Sequence, residues 1–199
     1  MDLLHLILEK QRNHSQKHVV PRMIFIISMN NKKNKMTYQA IAVFRTDKVE
    51  GDVVASNSSE GVILTATFTK LPPGLHGFHI HKAGDLRGEG CQGLCEHYDI
   101  GHHAHGGSPR SSGERHTGDL GNIELKDDKK QMRKTYVLKG VMVHDLWGRS
   151  IIVHEDEDDL GKGPFEDSLV TGHSGKRMAC AIFGRSQCSP KYNKTRKRH

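Results

Sequence analysis

The chain has 199 residues, of which 35% are hydrophobic and 27% are charged, and its formal net charge is +7. These proportions exclude a wholly disordered protein, because enough apolar side chains are present to form the core of one domain of ordinary size. A transmembrane helix is excluded as well, since the sequence contains no run of 18 apolar residues. We therefore expect no membrane partner.

The positive charge lies at the two ends of the chain. Residues 1–36 carry a net charge of +5 and residues 185–199 a net charge of +6, whereas residues 37–184 carry −4. A nucleic-acid-binding domain has a basic surface of its own. The sequence therefore predicts no nucleic-acid partner beyond non-specific contacts through the basic ends.

The same division predicts three parts. Residues 1–36 are an expected N-terminal extension, disordered or partly helical, unless translation starts at Met29 or Met36. Its apolar run, residues 23–27, is shorter than the core of a signal peptide, so a cytoplasmic location is expected. Residues 37–184 are predicted to form the folded domain, and residues 185–199 a basic C-terminal tail.

Short segments rich in β-branched and aromatic residues follow one another from residue 38 onward. They cover residues 39–45, 62–69, 135–143, 150–154 and 178–183. Glycine and proline separate them, which predicts an all-β antiparallel sandwich or barrel. Residues 82–118 and 155–176 lack strand patterns. We interpret them as functional loops, because loops of that length are uncommon in compact domains.

Histidine is concentrated in and around the first of these loops, where eight of the 15 histidines lie between His76 and His116. His79 and His81 are two residues apart, so in a strand both imidazoles point to the same face and can reach one ion. The further candidate ligands are His97, His105, His116, Asp119 and His154. Neutral imidazoles suit copper and zinc, and three imidazoles with one carboxylate form a typical zinc set.

Six segments of the chain resemble the Cu/Zn superoxide dismutase family. They are residues 74–81 (GLHGFHIH), 105–107, 115–122, 148–155, 158–163 and 171–180. The resemblance extends from about residue 38 to residue 184. It implies a Greek-key antiparallel β-sandwich of immunoglobulin-like architecture with two long functional loops, holding one copper ion and one zinc ion per chain.

The resemblance also assigns roles by position. The implied copper ligands are His79, His81, His97 and His154. The implied zinc ligands are His97, His105, His116 and Asp119, so that His97 bridges both ions. The remaining implied roles are a carboxylate tying His79 to His105 (Asp158), an arginine that draws in the anionic substrate (Arg177) and an intrasubunit disulfide (Cys91 and Cys180).

The implied function is dismutation of superoxide to dioxygen and hydrogen peroxide by alternate reduction and oxidation of copper, with His97 and Arg177 as catalytic residues. A non-catalytic copper- and zinc-binding or copper-delivery relative of the same fold remains the alternative. The resemblance also implies a homodimer and a copper-delivery partner. Two departures from the family bear on this: Ala83 replaces an aromatic residue of the dimer interface, and Val170 replaces a common steering lysine.

Overall fold

The computed structural model describes residues 38–186. The chain divides into two units, Met1–Lys35 and Met36–His199, and all described residues lie in the second. The expected N-terminal extension and nearly all of the basic tail lie outside the described residues, so the three-part organisation stays a prediction.

The described residues contain nine strands and two single α-helical turns, besides a 3-10 turn (Gln92–Leu94). The strands are β1 (Gln39–Arg45), β2 (Glu50–Asn57), β3 (Gly61–Lys70), β4 (His76–His81), β5 (Asp119–Ile123), β6 (Met132–Lys139), β7 (Ser150–His154), β8 (Arg177–Ile182) and β9 (Gly184–Arg185). The α-helical turns are α1 (Val143–Leu146) and α2 (Ser168–Thr171). The strands form a five-stranded sheet, ordered β6-β3-β2-β1-β9, and a four-stranded sheet, ordered β5-β4-β7-β8. All pairings are antiparallel, which confirms the predicted β-sandwich.

The core lies between the two sheets, and the strand sequences show why. In β1, every second residue, from Ala40 to Phe44, is buried, as the alternation of side chains along a strand requires. Phe68 of β3 meets Phe78 of β4 edge to face, with ring centroids 5.7 Å apart. This aromatic contact joins one sheet to the other.

β4 and β7 differ from the other strands because every residue in them is buried. Phe78 and Ile80 of β4 belong to the core, whereas His79 and His81 alternate with them and point to the opposite face. The two long loops cover that opposite face. The fold therefore places a layer of buried polar side chains outside the sandwich core.

A disulfide between Cys91 and Cys180 ties the first loop to β8, as the resemblance implies. The bond closes a sequence separation of 89 residues. Cys95, on the other side of a 3-10 turn at Gln92–Leu94, is exposed and has a free thiol. Cys188 lies outside the described residues.

Removing this disulfide is expected to cost substantial stability. For a loop of this length, chain entropy gives about 4 to 5 kcal/mol, so a Cys91→Ser, Cys180→Ser variant should unfold at much lower urea concentration than the parent. Cys95→Ser is the matched control and should leave the midpoint unchanged. Equal losses in both variants would show that this cross-link does not constrain the unfolded chain.

Candidate metal centre

Two groups of buried side chains meet beneath the long loops. In each group, one possible ligand atom per residue lies within 4.8 Å of all the others. The first group contains His79, His81, His97 and His154. The second contains His79, His97, His105 and Asp119. The resemblance implied eight ligand positions, four for copper and four for zinc. Seven of them are occupied as implied in these two groups, and His97 belongs to both.

The imidazoles of the first group are held by hydrogen bonds at one ring nitrogen each. His79 Nε2 lies 2.8 Å from Asp158 Oδ2, His81 Nδ1 lies 2.9 Å from the Cys95 carbonyl oxygen, and His154 Nδ1 lies 3.3 Å from the Gly175 carbonyl oxygen. These contacts fix the orientation of each ring.

The other ring nitrogen of each of these three imidazoles fits a metal ion. His79 Nδ1, His81 Nε2 and His154 Nε2 are buried, and none has a hydrogen-bond partner in the described part of the chain. A buried polar atom without a partner costs free energy, and coordination of a metal removes that cost. The donor set is made of imidazole nitrogen alone, which suits copper.

The second group is organised around Asp119. Its Oδ1 lies 2.8 Å from His97 Nδ1 and 3.1 Å from His105 Nδ1, yet His105 Nδ1 makes no hydrogen bond in this part of the structure. Asp119 Oδ2 accepts hydrogen bonds from the backbone N–H groups of Gly106 and His116. Two imidazole nitrogens therefore lie within 3.1 Å of one carboxylate oxygen, and this combination of donors suits zinc.

His116 differs from its implied place in this second group, which includes His79 instead. His116 Nδ1 lies 3.3 Å from Asp119 Oδ1, and its ring centroid is 5.3 Å from that of His97. His116 is therefore next to the group but further out, and its side chain is 15% exposed. His79 falls within both groups because its ring packs against that of His97, with centroids 4.2 Å apart.

Asp158 links the two groups. Its two carboxylate oxygens each lie 2.8 Å from an imidazole, Oδ2 from His79 Nε2 and Oδ1 from His105 Nε2. Asn122 holds the Asp158 backbone, donating to its carbonyl oxygen and accepting from its N–H. At Gly172, which has a φ of +70°, a Cβ would collide with the Asp158 carboxylate and the His105 ring. Only glycine allows the second loop to approach this closely.

Three of the buried imidazoles, those of His81, His97 and His154, are neutral at pH 7. Burial lowers the pKa of His97 to about 3 and that of His154 to about 2, and it lowers the pKa of His81 well below the ordinary value. His105 is the exception: burial disfavours its charged form, but the adjacent carboxylates of Asp119 and Asp158 outweigh this and raise its pKa to about 9. Neutral imidazoles are the form that binds metal.

These shifts predict how the stability of the metal-free protein depends on pH. A histidine whose pKa is raised in the folded state stabilises that state, and the full effect is present below pH ~6.5. For His105 this contribution is about 3 kcal/mol, and it should be lost as the pH rises to about 9. His97 and His154 act in the opposite way, because below pH ~6.5 the unfolded chain binds protons that the folded protein does not. Urea unfolding should therefore give maximal stability near pH ~6.5. His105→Gln should abolish the alkaline loss, and a parent protein with constant stability up to pH ~9 would contradict the assignment.

A cleft of about 360 Å³ opens onto the first group. Its lining includes His81, His97 and His154 from that group, together with Arg177. Arg177 Nη1 donates to the carbonyl oxygen of Cys91 at 2.9 Å, and Nη2 donates to that of Cys95 at 2.6 Å. The guanidinium is thus fixed at the side of the cleft, next to the disulfide.

Several residues that hold the centre in place are not identifiable from the sequence pattern. His76 is buried outside both groups, and its Nδ1 lies 3.0 Å from the His154 carbonyl oxygen at the end of β7. Arg115 Nη1 donates to the carbonyl oxygens of His116 and Thr117 in the first loop. His103 pairs with Asp99 at 3.2 Å on the surface of the first loop.

Comparison with known proteins places the chain in a family. The copper/zinc superoxide dismutase family matches residues 49–183. Over 152 residues the chain is 38% identical to Cu-Zn superoxide dismutase 5 of Dictyostelium discoideum, covering 74% of this chain and 98% of that protein. It is 41% identical to the Cu-Zn superoxide dismutase of Onchocerca volvulus, covering 74% of this chain and 96% of that protein. The chain belongs to the Cu/Zn superoxide dismutase family.

A second kind of relative appears at the same level of similarity. The chain is 38% identical over 169 residues to the copper chaperone for superoxide dismutase of Rattus norvegicus, covering 83% of this chain but 60% of that protein. Among solved structures, the clock protein EA4 matches with a TM-score of 0.65 and 35% identity, over 73% of this chain and 93% of that chain. The family implies copper and zinc as metals. No helix within residues 38–186 has the length and apolar character needed to cross a membrane.

Proposed function

We propose that the protein is a copper/zinc superoxide dismutase that converts two superoxide anions and two protons to dioxygen and hydrogen peroxide. In this proposal the first group of imidazoles holds copper. Zinc is held by His97, His105, His116 and Asp119. The observation that carries the proposal is the set of buried, unpartnered imidazole nitrogens at the floor of a cleft that also contains Arg177.

Copper supplies one-electron oxidation and reduction when bound, and zinc, whose d shell is full, does not. The protein's own contribution begins with the substrate. Arg177 presents a permanently charged guanidinium to the cleft, and this group suits a small anion because it combines charge with hydrogen-bond donors. The carbonyl oxygens of Cys91 and Cys95 hold it in position.

His97 is the residue best placed to move a proton. Its Nδ1 faces Asp119 of the second group, which leaves Nε2 toward the first group and the cleft. A proton taken up from solvent at Nε2 would be given up readily, since burial disfavours the charged ring. His97 can therefore deliver a proton at Nε2 to the reduced oxygen product. Asp158 keeps both groups in register during this exchange.

The copper-delivery alternative is favoured by one specific observation, the similarity to the rat copper chaperone. The two functions differ in turnover. Protein loaded with both metals and mixed with a large excess of superoxide should remove many equivalents per copper ion. Removal of a single equivalent, together with transfer of copper to a metal-free acceptor dismutase, would overturn the proposal and support delivery.

The homodimer, the copper-delivery partner and the cytoplasmic location remain predictions. The first is tested by the molecular mass of the metal-loaded chain in solution, where a mass of one chain would contradict it.

A further inference from the structure

The walls of the cleft carry more negative than positive charge. Glu96, Asp156 and Asp167 line it, against the guanidinium of Arg177. The second loop adds to this imbalance, because it holds seven acidic residues and one lysine between Glu155 and Asp167. An acidic wall attracts cations and repels anions before either reaches the floor.

Two of these carboxylates are only weakly offset by positive charge. Glu96 is 76% exposed and pairs with Lys82 at 3.3 Å, an exposed contact of little energetic weight. Asp156 lies against Gly175, where a Cβ would collide with its carboxylate, so the chain keeps this group beside the cleft. Asp167, by contrast, is paired with His173 at 2.7 Å on the rim.

Arg177 supplies the permanent positive charge among the residues that line the cleft, and the backbone holds its guanidinium at one side. Three hydrogen bonds from the Arg177 guanidinium go to backbone carbonyl oxygens, those of Cys91, Gln92 and Cys95. Val170, 58% exposed on the rim, adds no charge. Among the described residues that line the cleft, Arg177 is therefore the one permanent cation set against Glu96 and Asp156.

The imidazoles at the floor of the cleft indicate which ligand the acidic walls would favour. The side chains of His81 and His154 are 1% and 4% exposed, line the cleft, and have Nε2 atoms without a partner in the described part of the chain. Unpaired imidazole nitrogens beneath acidic walls suit a metal cation that arrives through the cleft.

We propose that Glu96 and Asp156 make the entrance of the cleft attractive to cations, which speeds the entry of copper ions to the imidazoles below and weakens, without cancelling, the attraction that Arg177 exerts on anions such as superoxide. The proposal rests on the copper site of the proposed function and adds two specificity-determining residues to it. It predicts opposite effects on copper ions and on small anions, both of which enter through the cleft. Neutralising the carboxylates should slow copper entry and strengthen anion binding.

The test uses the full chain in metal-free form and a Glu96→Gln, Asp156→Asn variant. Glu157→Gln is the matched control, because Glu157 is an exposed acid of the same loop that does not line the cleft. Uptake of Cu²⁺ is followed by the copper absorption that a His154→Ala protein lacks. At low ionic strength the double variant should take up copper about three- to tenfold more slowly, and added salt should reduce the difference.

The second measurement titrates the copper-loaded proteins with azide, used as a small inorganic anion. The double variant should bind azide several-fold more tightly than the parent or the Glu157→Gln control. Unchanged copper uptake and azide affinity, or equal changes in the control, would overturn the proposal. Neither measurement requires turnover, so a protein that shows both effects but fails to dismutate superoxide would contradict only the proposed function.

Discussion

His154→Ala should abolish superoxide dismutation while zinc stays bound. His154 belongs to the first group only, and its Nε2 is buried without a partner at the floor of the cleft. Its removal takes one nitrogen from the proposed copper set and none from the zinc set. Activity should fall to the background rate, and metal analysis should show copper lost or much reduced with zinc near the parent level.

A matched variant distinguishes this effect from general damage to the centre. Asp119→Ala removes a carboxylate of the second group, so it should lower zinc affinity first. Full activity in a copper-depleted His154→Ala protein would refute the division of ligands between the two metals. Loss of copper alone from Asp119→Ala would do so as well.

Arg177→Glu should slow dismutation by about tenfold or more with both metals retained, because it reverses the charge where an anion must bind. Arg177 is not a metal-ligand candidate, since its guanidinium nitrogens donate to backbone carbonyl oxygens. The loss should appear in kcat/KM and shrink as salt is added, because screening weakens the reversed charge.

Arg177 also donates a hydrogen bond to the Cys95 carbonyl oxygen. The same oxygen contacts His81 Nδ1 and so orients that ring. Arg177→Lys is therefore the control that keeps the charge and loses the fork of donors. It should retain more activity than Arg177→Glu, and both variants should bind copper. Unchanged kcat/KM in Arg177→Glu at low ionic strength would remove this residue from the proposed mechanism.

Strands with a regular pattern could be predicted from the sequence to the residue. Residues 39–45 and 150–154 are predicted as strands and form β1 and β7 with those bounds. The prediction for residues 135–143 is wrong at its end, because β6 stops at Lys139 and Gly140 turns the chain with a φ of +71°. Val143 then begins α1, where the Asp145 carboxylate accepts from the Met142 N–H.

The strand patterns of the sequence did not predict β2 or β5, and the reason is the same for both strands. β2 contains Gly51 and Asp52, and β5 contains Gly121, residues that are typical of turns. Pairing with neighbouring strands holds them in extended conformation: β2 lies between β1 and β3, and β5 pairs with β4. Tertiary contacts override local preference at both places.

The metal centre, too, could be predicted only in part from local patterns. Imidazoles at a two-residue spacing in β4, and a family-like spacing in the loops, indicated which side chains would meet. The sequence did not indicate that Glu96 and Asp156 share a cleft, because they come from different loops and no local pattern joins them. The acidic run at residues 155–159 was the visible signal, and only the fold shows which of its members face the cleft.

One purified sample of the full chain should be analysed for metal content and assayed for superoxide dismutation. It should hold close to one copper and one zinc per chain, with turnover that rises in proportion to copper occupancy. A sample that holds both metals at these levels and shows no dismutation would contradict the proposed function.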